Sequence, residues 1–205
     1  MPRFDVITFD CYGTLIDWRS GIRAAFQSAG VDPDDALRKY MQLEPEIEQG
    51  YRPYREVLRE VGQRIAPGVR LDETLPSWKP FVDTNAALQR LRAAGIRLGI
   101  LSNVDDDLLA ATRKHFTVDF DVIVTAQQVR SYKPGHAHFI EARRRIGDAR
   151  WLHAAQSDFH DIVPANELQI PNAWINRLGE RALPGGEPAY EFPDLAKLAE
   201  FTTAS

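Results

Sequence analysis

Cysteine is nearly absent from this 205-residue sequence, in which Cys11 is the only one. A single thiol excludes an internal disulfide and suits a reducing compartment. Long apolar runs are also absent, since no stretch reaches the roughly 18 residues that a membrane-spanning helix needs. Charges at Arg3, Asp5 and Asp10 interrupt the apolar stretch at the N-terminus, so a signal peptide is not indicated. We therefore expect a cytoplasmic protein without a membrane partner.

An excess of positive charge is lacking too, because the formal net charge is −4 and no run of Lys and Arg occurs. This balance argues against nucleic acid as a partner. Hydrophobic residues make up 44% of the chain, which is enough to bury a core without metals or disulfides. The length suits one domain, or one domain with a small insertion.

Short β-rich runs alternate with helical stretches through most of the chain. The runs end at polar turn residues, as buried parallel strands do. We predict strands at 4–9, 97–101, 120–124, 151–155 and 172–175. We predict helices from their spacing, stops and charged ends at 85–94, 105–115, 137–146 and 161–169. This alternation indicates an α/β fold built on a parallel sheet with right-handed crossovers.

The segment from Trp18 to about Thr84 breaks the alternation, because no strand is evident in it. Glycine and proline residues divide it into three helix-like stretches, of which Pro45 disturbs the second. These stretches are 18–29, 34–48 and 53–66. Open α/β sheets bind ligands at the carboxyl ends of their strands, and an insertion after the first strand lies over that edge. We therefore predict a helical cap domain, residues 17–84, inserted into a core domain of residues 1–16 and 85–205.

Polar side chains with chemical potential stand just after the predicted strands. They are Asp10 with Thr14, Ser102 with Asn103, Lys133, and Asp158 with Asp161. Taken singly, each has an ordinary interpretation as a strand end, a helix cap, a solvated turn or a helix start. Their order favours a shared active site, because the carboxyl ends of parallel strands meet at one edge of the sheet.

This order of residues resembles the haloacid dehalogenase superfamily over nearly the whole chain. The first motif of that family carries a nucleophilic aspartate, and it is similar to Phe9-Asp10-Cys11-Tyr12-Gly13-Thr14-Leu15. The later motifs are similar to Leu101-Ser102-Asn103, Tyr132-Lys133-Pro134 and the run from Gln156 to Asp161. The resemblance implies a Rossmann-like parallel sheet with a helical cap after its first strand, and a small-molecule substrate.

Position 12 distinguishes two chemistries within the superfamily. A phosphatase of this kind needs an acid there to protonate the leaving alcohol, and Tyr12 does not readily do so at neutral pH. It also needs acids in the fourth motif to hold Mg²⁺, where Gln156-Ser157 replaces the usual Gly-Asp pair. A halide leaving group needs neither a proton nor Mg²⁺. With Asp17, the first motif resembles the L-2-haloacid dehalogenase branch, which implies hydrolysis of a short 2-haloalkanoic acid without a cofactor.

The resemblance also implies roles for the matched residues. Asp10 would attack C2 of the substrate to form an ester, while Lys133 and Thr14 hold its carboxylate. Asp161 would orient the water that hydrolyses this ester. The substrate would be bound by groups at Cys11, Tyr12, Ser102, Asn103, Gln156 and Asp158, with Asn103 near the halide.

Three features depart from that branch. Gln156 and Asp158 stand where relatives carry Ser and Asn, and Phe139 replaces a Tyr, so the network that positions water is altered. Asp158 could restore affinity for a metal. The arginine with which the cap cradles the halide has no clear match. Lys39 is nearest by local alignment, and the alternatives are Arg38, Arg52 and Arg55.

Two other functions stay open. Asp158 and Asp161 would suit a Mg²⁺-dependent phosphatase, and the missing cap arginine would suit a non-catalytic relative, against which the Asp10–Lys133 pair argues. We expect no metal site, since the five histidines form no zinc-type set and the acids at 105–107 are interpreted as helix caps. A homodimer is consistent with the resemblance.

Two kinds of residue near the predicted site are interpreted as structural. Cys11 is expected to be a small buried apolar residue of the strand. Aromatic residues of the helical segment are expected to pack the cap, with Trp18 also a candidate for the wall of an apolar pocket. They are Trp18, Tyr51, Tyr54 and Trp78.

Overall fold

The computed structural model describes residues 2–204, and six parallel strands in that range form one sheet in the order β3-β2-β1-β4-β5-β6. The strands are β1 (Val6–Phe9), β2 (Arg97–Ser102), β3 (Val122–Thr125), β4 (Trp151–Ala155), β5 (Asn172–Ile175) and β6 (Tyr190–Phe192). Every residue of β1, β4 and β5 is buried, as in a parallel sheet that is covered on both faces. The predicted α/β class and its first five strands are confirmed.

The strand β1 lies at the centre of the sheet, between β2 and β4. Phe9, its last residue, is in register with Ile100 on one side and Ala154 on the other. The chain continues from β1 to β2 and β3 on one side and then crosses to β4 on the other. A crevice therefore opens at the carboxyl ends of β1 and its neighbours. Asp10 therefore enters that crevice directly from the strand.

Helices cover both faces of the sheet and form the segment between β1 and β2. In residues 2–204 they are α1 (Trp18–Ser28), α2 (Pro33–Ile47), α3 (Tyr54–Ile65), α4 (Leu71–Thr74), α5 (Thr84–Ala93), α6 (Asp106–Thr112), α7 (Ala126–Val129), α8 (Ala137–Ile146), α9 (Val163–Glu167) and α10 (Leu195–Thr203). A π-helical turn, Asp158–Ile162, precedes α9. Within residues 2–204, none of these helices combines the length and the apolar character that crossing a bilayer requires.

The helical segment, residues 17–84, contains the three predicted helices as α1, α2 and α3, which pack in sequence against one another. Asp17 and Asp32 begin α1 and α2 by accepting hydrogen bonds from backbone N–H groups of the first turn. The helix α2 continues through Pro45, which lies in its last turn. The division of the chain into a core and a cap domain stays a prediction.

The two ends of the helical segment lie side by side. The backbone N–H of Asp17 donates to the carbonyl of Lys79 at 2.9 Å, and that of Phe81 donates to Leu15 at 3.1 Å. Ile16 and Pro80 form an antiparallel bridge between them. The segment thus leaves and rejoins the sheet at one place, next to the end of β1.

The last strand and the last helix were not predicted. β6 has three residues, lies at the sheet edge and is not fully buried, so it lacks the apolar run of a central strand. The helix α10 begins at Asp194, whose side chain accepts from the N–H of Lys197 at 2.8 Å. Its buried face, which includes Leu198, packs against α5. Asp194, a residue type that commonly caps helix N-termini, was the sequence signal that could have predicted α10.

Asp105 joins the sheet to the helical segment. Its carboxylate accepts the backbone N–H groups of Tyr54 at 3.1 Å and Arg55 at 2.9 Å, which are the first two residues of α3. Asp105 makes no side-chain cap of its own helix, α6. The acids at 105–107 were expected to cap the helix that follows them, and for Asp105 this prediction is wrong. Asp105 is 4% exposed. Its carboxylate accepts from the first N–H groups of α3, which the N-cap residue Pro53 has no side-chain acceptor to bind.

We expect Asp105→Ala to lower the free energy of unfolding by about 2 kcal/mol, because it leaves two N–H groups at a helix start without a partner. Urea denaturation followed by circular dichroism measures this change. Asp107→Ala is the matched control, since Asp107 is exposed and pairs only at the surface with Arg55. That variant should lose no more than about 0.5 kcal/mol. Equal losses in the two variants would contradict the assignment.

Candidate active site

Asp10 is the first residue after β1 and is buried at the floor of a crevice. Its Oδ1 accepts from Lys133 Nζ at 2.9 Å, and its Oδ2 accepts from Thr14 Oγ1 at 3.1 Å. Thr14 Oγ1 in turn accepts the backbone N–H of Gln156 at 2.8 Å. Gly13, with φ of 110°, turns the backbone here as other residues rarely do. The turn brings Thr14 back onto the carboxylate of Asp10.

Lys133 is a buried cation whose ammonium group has three acceptors. Besides Asp10, its Nζ donates to Asp161 Oδ1 at 2.6 Å and to the carbonyl of Leu101 at 3.0 Å. Burial alone would lower the pKa of Lys133, but the two carboxylates outweigh burial and raise it above its usual value. Lys133 is therefore held charged and in one orientation.

The two carboxylates beside Lys133 differ in their proton affinity. Burial raises the pKa of Asp10, and Lys133 opposes that rise only in part. Burial would raise the pKa of Asp161 as well, but Lys133 and His153 outweigh it and lower the pKa to about 2. Asp161 thus stays ionised, and its Oδ2 has no hydrogen-bond partner within residues 2–204. That oxygen can accept from a water at the site.

A chain of buried side chains supports Asp161 from beneath. Trp151 Nε1 donates to Thr8 Oγ1 at 2.8 Å, and the Thr8 hydroxyl is hydrogen-bonded to His153 Nδ1 at 2.8 Å. His153 Nε2 is hydrogen-bonded to Asp161 Oδ1 at 3.0 Å, and because an ionised carboxylate only accepts, the Nε2–H group is the donor. Sequence reasoning considered His153 only as a metal ligand and missed this role. The available signal was a polar residue inside an otherwise apolar strand, β4.

A cavity of about 250 Å³ opens above Asp10, between the sheet and the helical segment. Side chains of both parts line it. They are Asp10, Tyr12, Trp18, Tyr40, Met41, Glu44, Glu48, Tyr54, Trp78, Ser102, Asn103, Lys133, Gln156, Ser157, His160 and Asp161. Trp18 therefore lines the pocket, as its candidate role required, and Tyr54 and Trp78 do so in addition to packing the segment.

Ser102 and Asn103 occupy different positions at the end of β2. Ser102 Oγ is buried without a hydrogen-bond partner in the described part of the chain, and the residue lines the cavity. The Asn103 side chain instead braces Lys133, since its Oδ1 accepts from the Lys133 N–H at 2.7 Å and its Nδ2 donates to the Lys133 carbonyl at 3.0 Å. Its other amide hydrogen is directed to Glu48 at 3.4 Å. A halide beside Asn103 would thus also meet Glu48.

The first-motif residues Cys11 and Tyr12 point in different directions. Cys11 is fully buried and burial raises the pKa of its thiol, in agreement with the expected structural role of its side chain. Tyr12 lines the cavity, and its hydroxyl is hydrogen-bonded to Thr112 Oγ1 at 2.9 Å. Burial also raises the pKa of Tyr12 well above its usual value, which makes it a poor general acid at neutral pH.

The expectation that a cation of the helical segment reaches the site is wrong. Lys39 is 51% exposed and pairs with Asp35 at 2.8 Å on the outer side of α2. The three alternatives also pair elsewhere and do not line the cavity. They are Arg38 with Asp35, Arg52 with Glu60, and Arg55 with Asp107. The inner face of α2 carries Tyr40 and Glu44 instead, since residues four apart share a helix face.

Asp158 does not face the cavity, and its prediction as a substrate-binding residue is also wrong. Its Oδ2 accepts the backbone N–H of Leu183 at 2.5 Å, and a Cβ on Gly186 would lie 2.0 Å from its Oδ1. The carboxylate therefore belongs to the loop that follows β5. No group of three residues able to hold a metal ion occurs in residues 2–204. Gln156, by contrast, lines the cavity as predicted.

Glu44 and Glu48 are the residues that sequence reasoning missed at the cavity wall. They lie one turn apart at the end of α2, and Glu44 Oε1 accepts from the hydroxyl of Tyr54 at 3.0 Å. Burial raises the pKa of Glu44, and burial together with the charge of Glu44 raises the pKa of Glu48 to about 9. His160 was also missed. It lines the cavity, and its Nδ1 is hydrogen-bonded to Ser157 Oγ at 3.0 Å.

Known proteins resemble the chain in both sequence and fold. (S)-2-haloacid dehalogenase H-109 from Pseudomonas putida is 27% identical, over 98% of this chain and 99% of that protein. Haloacetate dehalogenase H-2 from Moraxella sp. (strain B) is 26% identical, over 98% of this chain and 94% of its own. The solved L-2-haloacid dehalogenase from Xanthobacter autotrophicus with covalently bound chloropropionic acid has a TM-score of 0.85 at 19% identity, covering 97% and 98% of the two chains.

A family model described as haloacid dehalogenase-like hydrolase matches residues 4–156. That range is about three quarters of the chain, and it includes Asp10, Ser102, Lys133 and the first residue of the fourth motif, Gln156. The parallel sheet and the crevice at the end of β1 agree with the match. The chain belongs to the haloacid dehalogenase-like hydrolases.

Proposed function

We propose that this hydrolase cleaves the carbon–halogen bond of a 2-halo carboxylic acid through an ester on Asp10, without a metal ion. The observation that carries the proposal is the geometry around Asp10, whose carboxylate is held by Lys133 at 2.9 Å and Thr14 at 3.1 Å. A carboxylate fixed in this way, at the floor of a cavity partly lined by aromatic rings, suits in-line attack on carbon. The relatives with dehalogenase names support the same chemistry.

The reaction has two balanced steps. A carboxylate oxygen of Asp10 forms a bond to C2 while the bond from C2 to the halogen breaks, and halide leaves with the bonding electrons. Water then adds to the carbonyl carbon of the ester, and the hydroxyacid departs with the oxygen that Asp10 had supplied. Asp161, ionised and with an unpartnered Oδ2, orients that water. One proton is released to solvent in the second step.

The leaving group decides between this reaction and phosphoryl transfer. An alkoxide leaving group would need an acid beside Asp10, and Tyr12 offers only a hydroxyl of raised pKa that is bonded to Thr112. Asp158, which would suit a metal in a phosphatase, faces the loop at Leu183. We further propose that residues 17–84 act as a cap, since they supply Trp18, Glu44 and other parts of the cavity wall.

We expect halide release to survive excess EDTA, because no step depends on a metal ion. The measurement is halide release from L-2-chloropropionate, chloroacetate and fluoroacetate, with and without EDTA. Asp158→Asn is the matched control, since it removes a charge from the fourth motif but leaves the cavity wall intact, and it should behave as wild type. Loss of release with EDTA and recovery with Mg²⁺, together with hydrolysis of p-nitrophenyl phosphate, would instead favour the phosphatase.

A further inference from the structure

The wall that the helical segment contributes to the cavity is acidic. Glu44 and Glu48 face the cavity from the end of α2, and neither forms an ion pair within residues 2–204. The cavity has Lys133 as its one Lys or Arg in the described range, and Asp10 and Asp161 already share it. Four carboxyl groups thus stand around one fixed cation.

An acidic wall of this kind disfavours an anionic ligand and favours a cationic one. Burial raises the pKa of both glutamates, and Tyr54, Asn103 and Lys133 give their charged forms only partial compensation. A positive charge on a ligand would supply the remainder. The family resemblance implied an arginine on this side of the site, and carboxyl groups stand there instead.

Aromatic side chains border the same part of the cavity. Trp18 and Tyr40 are in contact, with ring centroids 5.4 Å apart, and the hydroxyls of Tyr40 and Tyr54 are hydrogen-bonded at 3.0 Å. Rings beside carboxylates are the surroundings in which proteins bind ammonium groups, because the ring faces attract cations. The second of these hydroxyls also orients Glu44, so the rings and the carboxylate form one structure.

The end of β2 supplies a group that suits an anion. Ser102 Oγ is buried, since the residue is 1% exposed, and it has no hydrogen-bond partner in residues 2–204. A buried hydroxyl without a partner is costly unless a ligand satisfies it. Lys133 lies on the same side, at the end of the sheet. The cavity therefore offers an unpartnered hydroxyl at the end of β2 and two glutamates on the wall from α2.

We propose that the substrate is zwitterionic, a 2-halo acid whose carboxylate binds at Ser102 and whose side chain ends in an ammonium group against Glu44 and Glu48. This inference rests on the proposed function, because Asp10 displaces the halide of this substrate in the same two steps. The glutamates are specificity-determining residues that touch the substrate and take no part in bond making. Small haloacids without the ammonium group are turned over, but with a lower kcat/KM than such a zwitterion.

A pair of matched compounds tests the charge alone. 2-Chloro-4-(trimethylammonio)butanoate carries the positive charge and cannot cyclise, and 2-chloro-5,5-dimethylhexanoate is its uncharged isostere. We expect kcat/KM for chloride release to be at least about tenfold higher for the charged compound. Glu44→Gln and Glu48→Gln should each reduce this preference and increase turnover of the uncharged compound. Glu46→Gln, an exposed change of charge on the same helix, is the control and should leave the preference unchanged.

Binding of the compounds without halogen separates this inference from the proposed function. Calorimetry with 4-(trimethylammonio)butanoate and 5,5-dimethylhexanoate measures the same charge preference without any reaction. The inference is overturned, while dehalogenation stands, if the two chlorinated compounds have equal kcat/KM. It is also overturned if 5,5-dimethylhexanoate binds as tightly as 4-(trimethylammonio)butanoate. If Glu48→Gln lowers turnover of 2-chloropropionate, the glutamate acts as a protonated donor to an anion, which also overturns it. Charge-selective binding without chloride release would overturn only the proposed reaction.

Discussion

Asp10→Asn should lower kcat/KM for halide release by at least about 10⁴-fold, because it removes the nucleophile and leaves only binding to contribute. The amide is nearly isosteric with the carboxylate, and it can still accept from Lys133 through its oxygen. The fold should therefore be retained, which circular dichroism and urea denaturation check. Halide release by ion chromatography measures the activity.

Oxygen labelling distinguishes attack by Asp10 from direct attack by water. With enzyme in excess over substrate in H₂¹⁸O, the hydroxyl of the product should contain ordinary oxygen, because it comes from the Asp10 carboxylate. After many turnovers, the peptide that contains Asp10 should carry ¹⁸O by mass spectrometry. Label in the product of the first turnover would mean that water attacks C2 directly and that Asp10 serves as a base.

Lys133→Met should have the second largest effect, because Lys133 is the buried counter-ion of both Asp10 and Asp161. Removing it leaves two buried carboxylates without compensation, so we expect unfolding free energy to fall by about 3 kcal/mol or more. We expect kcat/KM to fall by about 10³-fold. Lys133 lowers the pKa of Asp10 against the rise from burial, so the remaining activity should begin to fall with decreasing pH at a higher pH than in wild type.

Asp161→Asn separates the two functions of the Lys133 cluster. It keeps the Asp10–Lys133 pair, so stability should change less than in Lys133→Met. Its effect should lie in the second step, because the amide orients water poorly. Excess substrate should then trap the Asp10 ester, visible as a mass increase of the Asp10 peptide. Equal stability losses in the two variants, with no ester trapped, would contradict these assignments.

The cluster of Asp10, Lys133 and Asp161 could be predicted from strand ends and motif order together. Asp10 stands directly after β1, and the motif order then leads to Lys133 and Asp161. The structure places Lys133 Nζ 2.9 Å from Asp10 and 2.6 Å from Asp161. Parallel strands fix where such residues meet, because all their carboxyl ends lie at one edge. Thr8 and His153, the polar residues inside the sheet, were missed. A polar residue in a strand sequence can form a buried hydrogen bond or face solvent, and the sequence pattern does not distinguish the two.

The helical side of the site could not be predicted in the same way. Which face of α2 turns toward the cavity depends on how α2 packs against α1 and α3, and the sequence around Lys39 and Glu44 is charged on several faces. Local alignment favoured Lys39, which the structure places on the outer face. The position of Asp158 was predicted wrongly for a similar reason. Its carboxylate accepts from the backbone N–H of Leu183, which lies in a loop without a sequence signal.

The contact between Asp105 and α3 affects how substrate and product enter and leave the cavity. The helical segment is fastened to the sheet twice, covalently beside Ile16 and Pro80 and again where Asp105 holds the start of α3. Two separate attachments prevent the helical segment from rotating about either one alone. Met41 lines the cavity and is 46% exposed, so the cavity reaches the surface at this residue. We therefore expect substrate and product to exchange without a hinged opening of the helical segment at either anchor.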